Sequence, residues 1–272
     1  MSRYGYFLSA EEYSPQELVS QARMAEQAGF EALWISDHFH PWLDEQGQSG
    51  FVWSLIGAIS QVTSLPITTA VTCPLLRQHP AIVSQAAATS ALLTGQLITH
   101  EGKHYKVDTA RLYSVPDLPP PVFMSGFGEK AISLAGRIAD GYMSTQPNAD
   151  FVRLYRESGG GDRPVQGGLK VCWSPDEASA RKAVHRLWPT DAIPGEAAQL
   201  LPLPRHFSQL AQLVPEDKMP QPCGPDPGVH ANAIRAYTEA GFDEVYVSQV
   251  DGEAEGFFEF YAGQVLPRLR EG

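Results

Sequence analysis

The chain has 272 residues, of which 43% are hydrophobic and 19% charged, a composition typical of a folded globular protein. Its 20 Lys and Arg residues against 31 Asp and Glu residues give a net charge of −11, which excludes an overall positive field for nucleic acids or anionic membranes. No apolar run approaches the roughly 20 residues of a membrane helix, and residues 1–7 do not resemble a secretion signal. We therefore expect a cytoplasmic protein, with residues 1–272 forming one domain.

Short strands alternate with helices along most of the chain. The predicted strands, rich in β-branched or aromatic residues, are residues 3–8, 32–35, 67–72, 121–126, 142–145, 168–173 and 244–250. The predicted helices are residues 14–28, 51–61, 81–93, 129–139, 150–157, 177–187, 230–240 and 256–268. This alternation predicts a parallel sheet, and the number of units at this length favours an α/β fold of the (β/α)8 TIM-barrel type over an open doubly wound sheet.

Two distant segments repeat this pattern with closely similar sequences, AEQAGFEALWIS at residues 25–36 and YTEAGFDEVYVS at residues 237–248. In each, a helix ends at an Ala-Gly pair, where Gly29 or Gly241 can take the left-handed conformation, and a strand follows. The repeat indicates the same helix-to-strand half of a βαβ unit at both ends of the barrel.

Two intervals depart from the pattern. The helix at residues 81–93 leads through Gly95 into residues 96–105, which do not resemble a barrel strand followed by a helix, so one βα unit is missing from the expected order after Gly95. Residues 188–227 are rich in proline and predict an irregular insertion with short helices. Long insertions of this kind usually cover active sites or form contact surfaces.

The strongest candidate site follows the second predicted strand, in the segment SDHFHPW at residues 36–42. Catalytic groups of barrel enzymes lie just beyond the C-terminal ends of strands. His38 and His40 can transfer protons near neutral pH, Asp37 can bind a polar group, and Trp42 offers a flat surface to a ring. The alternative is a loop whose aromatic residues only cover the barrel mouth.

Weaker candidates lie after two other strands. The small residues of the strand at residues 67–72 could lie against a flat ligand, and Cys73, with no activating base nearby, is predicted to be a core or wall residue. The segment Ser125-Gly-Phe-Gly128 opens a helix, which suits either a phosphate or a plain tight turn. The remaining histidines and the three cysteines lack metal-ligand spacing, so no metal is expected.

Taken together, these motifs resemble the luciferase-like superfamily, and within it the glucose-6-phosphate dehydrogenase-type group that uses the deazaflavin coenzyme F420. The resemblance extends over nearly the whole chain. It is carried by residues 36–42, 46–49, 51–54, 68–74, 79–81, 125–128, 172–173, 222–226 and 265–268. It implies a homodimeric oxidoreductase that transfers a hydride between coenzyme F420 and a small alcohol-type substrate or a sugar 6-phosphate. A sugar phosphate would need fixed cations, for which Arg77, Lys170 and Arg205 are positional candidates.

The resemblance also implies roles for individual residues. His38 would be the base that takes the hydroxyl proton, and Trp42 would wall the substrate. Glu11 and His40 would lie on the substrate side, and Asp37 would contact the deazaflavin. The other residues assigned to coenzyme binding are Ala70, Val71 and Cys73, with a cis bond between the first two, and Ser125, Gly126, Phe127 and Gly128 around its phosphate-bearing tail.

The missing unit is the main departure from this family. In the group it carries a Gly-x-Gly-x-Gly-Glu-x-x-Asn-Glu motif, whose glutamate is the acid partner in hydride transfer. Either the protein lacks the unit, or the unit is present and the residue numbers run on across it. Deleting a central strand would expose two strand edges, which favours the second hypothesis. An intact mass near 29.7 kDa would contradict it.

Two other functions stay open. A flavin mononucleotide (FMN)-dependent monooxygenase or reductase is the first, since other branches of the superfamily use that cofactor. A barrel that binds a coenzyme without catalysis is the second, because the motif with the acidic partner is missing.

Overall fold

Seven strands form one parallel sheet in a computed structural model that describes residues 2–72, 95–101, 106–111, 113, 115, 117–193, 201, 203–252 and 254–271. The strands are β1 Arg3–Leu8, β2 Leu33–Ile35, β3 Ile67–Thr69, β6 Phe123–Ser125, β7 Gly141–Ser144, β8 Val165–Val171 and β9 Glu244–Gln249. Between β3 and β6 in the chain, β4 Ile98–Glu101 and β5 Lys106–Ala110 pair as a separate antiparallel hairpin. The hairpin is the excursion predicted after Gly95.

The strand order in the sheet is β3-β2-β1-β9-β8-β7-β6, so the first and last strands of the chain are neighbours. Arg3 of β1 pairs with Glu244 of β9, and the pairing continues to Tyr6 and Val247. Within the described residues, β3 and β6 are the two edges, and the missing βα unit falls between them in sequence. The predicted α/β barrel-type fold with one unit missing is therefore confirmed.

The helices connect the strands much as the sequence predicts. They are Pro15–Gln27, Val52–Ile59, Glu129–Ile138, Ala149–Tyr155, Glu177–Leu187, Pro204–Ala211, Pro227–Glu239, Ala254–Phe260 and Leu266–Arg270, with π-turns at Arg156–Gly160 and Tyr261–Val265 and 3-10 turns at Pro189–Ala192 and Glu216–Lys218. The predicted helix at residues 81–93 lies outside the described residues. Within the described ranges, no helix has both the length and the apolar character needed to cross a bilayer.

Capping residues set where two of these helices begin. Ser14 accepts a hydrogen bond from the Glu17 amide, and the Glu17 side chain bonds back to Ser14 in a capping box. Asp226 caps the helix Pro227–Glu239, which therefore begins three residues before the predicted start at residue 230.

The core lies on both faces of the sheet. Outside, Tyr6 contacts the rings of Phe30, Phe257 and Phe258 under the helices. Inside, the Trp34 indole stacks on Tyr246 with 4.5 Å between ring centroids and donates its N–H to Gln166. These large rings fill the interior below the C-terminal ends of the strands, so the space for a ligand lies above them, at those ends.

Candidate active site

The loops after β1 and β2 bring a carboxylate and a histidine into contact. Leu8 and Ile35 are paired in register at the ends of these strands, so the residues that follow emerge side by side. The Ser36 hydroxyl accepts a hydrogen bond from the Ala10 amide at 2.8 Å and donates to Glu11 Oε2 at 2.6 Å. Ser36 therefore ties the two loops together and fixes the Glu11 carboxylate.

Glu11 holds the ring of His38. Its Oε1 atom lies 3.1 Å from His38 Nε2, while its Oε2 atom also accepts a hydrogen bond from the Ser9 hydroxyl. Glu11 is 2% exposed, whereas the His38 side chain is 28% exposed. Because a carboxylate can only accept at this contact, the neutral imidazole carries its proton on Nε2 and keeps its lone pair on Nδ1. The ring is thus oriented from below and partly open above.

Trp42 stands beside this histidine, with 5.1 Å between ring centroids. Its indole makes an edge contact with Phe207 from the proline-rich segment. Gln46 accepts a hydrogen bond from the Trp42 amide and donates to the Leu187 carbonyl, and the Ser49 hydroxyl donates to the His38 carbonyl. The predicted base and wall residue therefore lie together in a loop fixed at several points.

Asp37 points toward the next strand. It is buried, and its Oδ2 atom accepts a hydrogen bond from the Thr72 hydroxyl at 2.7 Å. The bond between Ala70 and Val71, which precedes Thr72, is cis as the family resemblance implies. Both residues are half-buried on the inner face, against the cluster of Trp34 and Tyr246. Cys73 lies outside the described residues.

The glycine-rich segment lies at the same end of the sheet, after β6. Gly128 is the N-cap of the helix Glu129–Ile138, and no side chain caps that helix start. A Cβ on Gly126 would come within 2.6 Å of Ala131, whereas the space around Gly128 is open. Phe127 is exposed, and the Tyr142 hydroxyl donates to the Gly126 carbonyl. An uncapped helix start of this kind can bind an anion through its amides.

His40 lies at the edge of this arrangement. Its Nδ1 atom is 2.9 Å from the Pro41 carbonyl, and the neighbouring Phe39 ring is 68% exposed. The contacts above bring His38, Glu11 and Trp42 together, while the His40 ring lies against the Phe39 ring, with 6.3 Å between centroids.

Lys170 is the cation candidate that reaches the barrel mouth. Gln166 bonds the interior Trp34, and a Cβ on Gly168 would meet the same indole at 2.3 Å, so alternate residues of β8 face inward. Lys170 is the next inward residue, near the C-terminal end of β8. Arg205 is exposed on the helix Pro204–Ala211, and Arg77 lies outside the described residues.

Sequence reasoning missed a second carboxylate beside the site. Glu12 is half-buried. It accepts a hydrogen bond from the Trp188 indole N–H at 2.6 Å and another from the Asp251 amide. Burial raises the pKa of the Glu12 carboxyl to about 7, against the opposing effect of these hydrogen bonds. The only sequence signal was its place after β1, because Trp188 is 176 residues away in the chain.

The chain matches the family model described as luciferase-like monooxygenase over residues 2–95 and 89–244. The two matched segments meet around residue 95, where the sequence lacks one βα unit of the expected order.

Two curated relatives have similar sequences over nearly the whole chain. An F420-dependent glucose-6-phosphate dehydrogenase of Beutenbergia cavernae is 28% identical over 332 positions, covering 99% of this chain and 98% of that protein. Because this chain has 272 residues, at least 60 of those 332 positions lie opposite gaps. An F420-dependent hydroxymycolic acid dehydrogenase of Mycobacterium tuberculosis is 30% identical, covering 98% of this chain and 88% of that protein.

Two solved structures of F420-dependent enzymes superpose on nearly the whole chain. An F420-dependent secondary alcohol dehydrogenase, in complex with an F420–acetone adduct, superposes with a TM-score of 0.86 at 25% identity, covering 99% of each chain. A coenzyme F420-dependent tetrahydromethanopterin reductase from Methanopyrus kandleri superposes with a TM-score of 0.75 at 18% identity and shares the fold.

Proposed function

Because the chain belongs to the luciferase-like monooxygenase family, we propose that it is an oxidoreductase that transfers a hydride between coenzyme F420 and a small alcohol-type substrate. The observation that carries the proposal is the buried Glu11 carboxylate holding the half-exposed His38 ring beside Trp42, at the catalytic end of the sheet. The relatives that cover nearly the whole chain are named as F420-dependent dehydrogenases, which supports the coenzyme.

Two features of the chain fit this coenzyme. The half-buried Ala70 and Val71 offer an apolar surface to a flat ring, with Asp37 beside them as a polar contact. The uncapped helix start after Ser125, Gly126, Phe127 and Gly128 suits a phosphate group. These residues would hold the coenzyme, which supplies the hydride acceptor when it is bound.

His38 acts as the general base in this proposal. Glu11 fixes the proton on Nε2, so the lone pair on Nδ1 takes the hydroxyl proton of a carbinol as its C–H bond gives up a hydride. The imidazolium formed in this step faces the Glu11 carboxylate, which stabilises the new charge. Trp42 walls the substrate and, with Phe207, limits the access of water.

We further propose that the protein works as a homodimer in the cytoplasm. Both proposals rest on the family to which the chain belongs. The substrate is a small molecule with a carbinol group, as the names of the secondary alcohol and glucose-6-phosphate dehydrogenases suggest.

A spectroscopic titration of the purified protein tests the coenzyme. We expect saturable binding of coenzyme F420, and weaker binding by an Asp37→Ala variant, because the buried carboxylate beside the ring surface is lost. The exposed Asp217→Ala variant is the matched control and should bind as the wild type does. Binding of FMN without binding of F420 would favour a flavin enzyme, and binding of neither would contradict both proposals.

A further inference from the structure

The Lys170 ammonium at the barrel mouth forms an ion pair with Asp191 and lies over the Trp188 ring. Its Nζ atom lies 2.9 Å from Asp191 Oδ2 and 3.2 Å from Asp191 Oδ1, and 3.8 Å above the Trp188 ring. The Lys170 and Asp191 side chains are 19% and 28% exposed. The ion pair is therefore partly shielded from water, where charge pairing is stronger than at an open surface.

Asp191 is itself held in place from the other side. Gln221, which is 7% exposed, donates a hydrogen bond from Nε2 to Asp191 Oδ2 at 2.8 Å. Among the described residues, the buried Gln221 Oε1 atom has no hydrogen-bond partner. If Asp191 swung away to make room for an anion, the whole buried amide of Gln221 would lose its described partner, which is unfavourable.

The charges around Lys170 also oppose an anionic ligand. Glu11, Glu12 and Asp37 lie at the same ends of the strands. Arg186, the other described cation bonded to this end of the sheet, is paired with Asp251 just after β9. A phosphate brought to Lys170 would therefore lie against Asp191, and the two negative charges would repel each other.

Resting on the proposed function, we propose that Asp191 is a specificity-determining residue that closes the substrate pocket to phosphorylated substrates by holding Lys170 in an internal ion pair. The pocket then takes uncharged alcohols. In a related barrel without an acidic side chain at this place, the same lysine would be free to bind a phosphate.

The test measures the binding of inorganic phosphate to the protein without coenzyme. Tryptophan fluorescence is a suitable signal, because the Trp188 ring lies 3.8 Å from Lys170 Nζ, and the thermal shift on adding phosphate is a second one. We expect Asp191→Asn and Asp191→Ser to bind phosphate at least about tenfold more tightly than the wild type. Using both variants keeps the test independent of whether one of them folds.

Two controls separate this effect from a change in total charge. Asp217→Asn removes a charge from an exposed aspartate on the 3-10 turn Glu216–Lys218 and should bind phosphate no better than the wild type. Adding Lys170→Met to Asp191→Asn should abolish the gain. The proposal is overturned if the folded Asp191 variants show no gain, if the wild type binds phosphate equally well, or if the gain survives without Lys170.

These results do not depend on coenzyme F420, so a failed coenzyme titration would remove the proposed function and leave the phosphate test readable. If the coenzyme does bind, the ratio of kcat/KM for a neutral secondary alcohol to that for a phosphorylated alcohol should fall at least about tenfold in Asp191→Asn. An unchanged ratio would overturn the assignment of Asp191 while leaving the hydride-transfer proposal standing.

Discussion

At the scale of single residues, the candidate site combines a buried carboxylate, Glu11, with a half-exposed base, His38. The buried Glu11 carboxylate accepts hydrogen bonds from Ser9 and Ser36 and contacts His38 Nε2, so it orients the histidine ring. The family resemblance predicts Glu11 on the substrate side. Its contact with His38 makes it a positioning residue in our proposal.

Replacing His38 with alanine should lower kcat by about 10² to 10⁴, the range typical of a general base. The affinity for coenzyme F420 should stay the same, because Asp37 and the helix start after Gly128 are untouched. A His206→Ala variant, which removes a histidine from the helix Pro204–Ala211, is the matched control. Equal activity of the His38→Ala variant and the wild type in steady-state kinetics would remove His38 from the mechanism.

The raised pKa of Glu12, about 7, predicts a pH dependence of stability. Between the ordinary pKa of a glutamate and pH 7 the folded protein binds more protons than the unfolded chain, so stability falls as the pH rises through this window. A Glu12→Gln variant avoids this loss. Its free energy of unfolding minus that of the wild type should therefore rise by up to about 3 kcal/mol from pH 4.5 to pH 8. Denaturant unfolding at several pH values measures it.

The exposed Glu239→Gln variant is the control for that experiment and should follow the wild type at every pH. A constant difference between Glu12→Gln and wild type across the pH range would mean that the carboxyl of Glu12 titrates normally.

Among these residues, the sequence predicted those that are neighbours in the chain. Asp37, His38 and Trp42 form one motif directly after a strand, so their common location follows from local pattern alone. Thr72, Phe207 and Asp191 reach the site from distant segments. Their contacts depend on how loops pack across the barrel mouth, which no periodicity or spacing in the sequence encodes.

At the scale of elements, strand and helix positions were predictable because caps and glycines mark their ends. The boundaries differ by a few residues at two places: Asp226 caps a helix that begins at Pro227, and β8 begins at Val165. The β4–β5 hairpin was expected only as an excursion, because a polar two-stranded pair lacks the alternation of a half-buried strand.

Close packing in the barrel interior predicts that a larger residue at Gly168 of β8 destabilises the protein. Gly168→Ala would place a Cβ 2.3 Å from the Trp34 ring, so we expect a loss of about 1 to 3 kcal/mol in the free energy of unfolding. Gly57→Ala, on the exposed face of the helix Val52–Ile59 with nothing near its Cβ, should instead gain about 0.5 to 1 kcal/mol. Melting temperatures that move in the same direction for both variants would contradict this packing.

At the scale of the whole molecule, the chain lacks a segment that its relatives contain, which its length of 272 residues does not reveal. The seven-stranded sheet ends at β3 and β6 within the described residues, and at least 60 of the 332 positions aligned with the Beutenbergia cavernae protein lie opposite gaps. The sequence could predict this because the family motif with its glutamate is missing. In the hydride transfer that we propose, His38 and Trp42 are described residues that face the reacting carbinol, and Glu11 positions His38.

The most direct test of this account is the reduction of coenzyme F420 by a neutral secondary alcohol, followed as the loss of the oxidised coenzyme's absorbance on protein of verified mass. We predict enzyme-dependent reduction with one equivalent of ketone formed for each coenzyme reduced. Saturable binding of F420 without reduction by any alcohol or sugar phosphate would contradict hydride transfer, and would identify the chain as a barrel that binds the coenzyme without turnover.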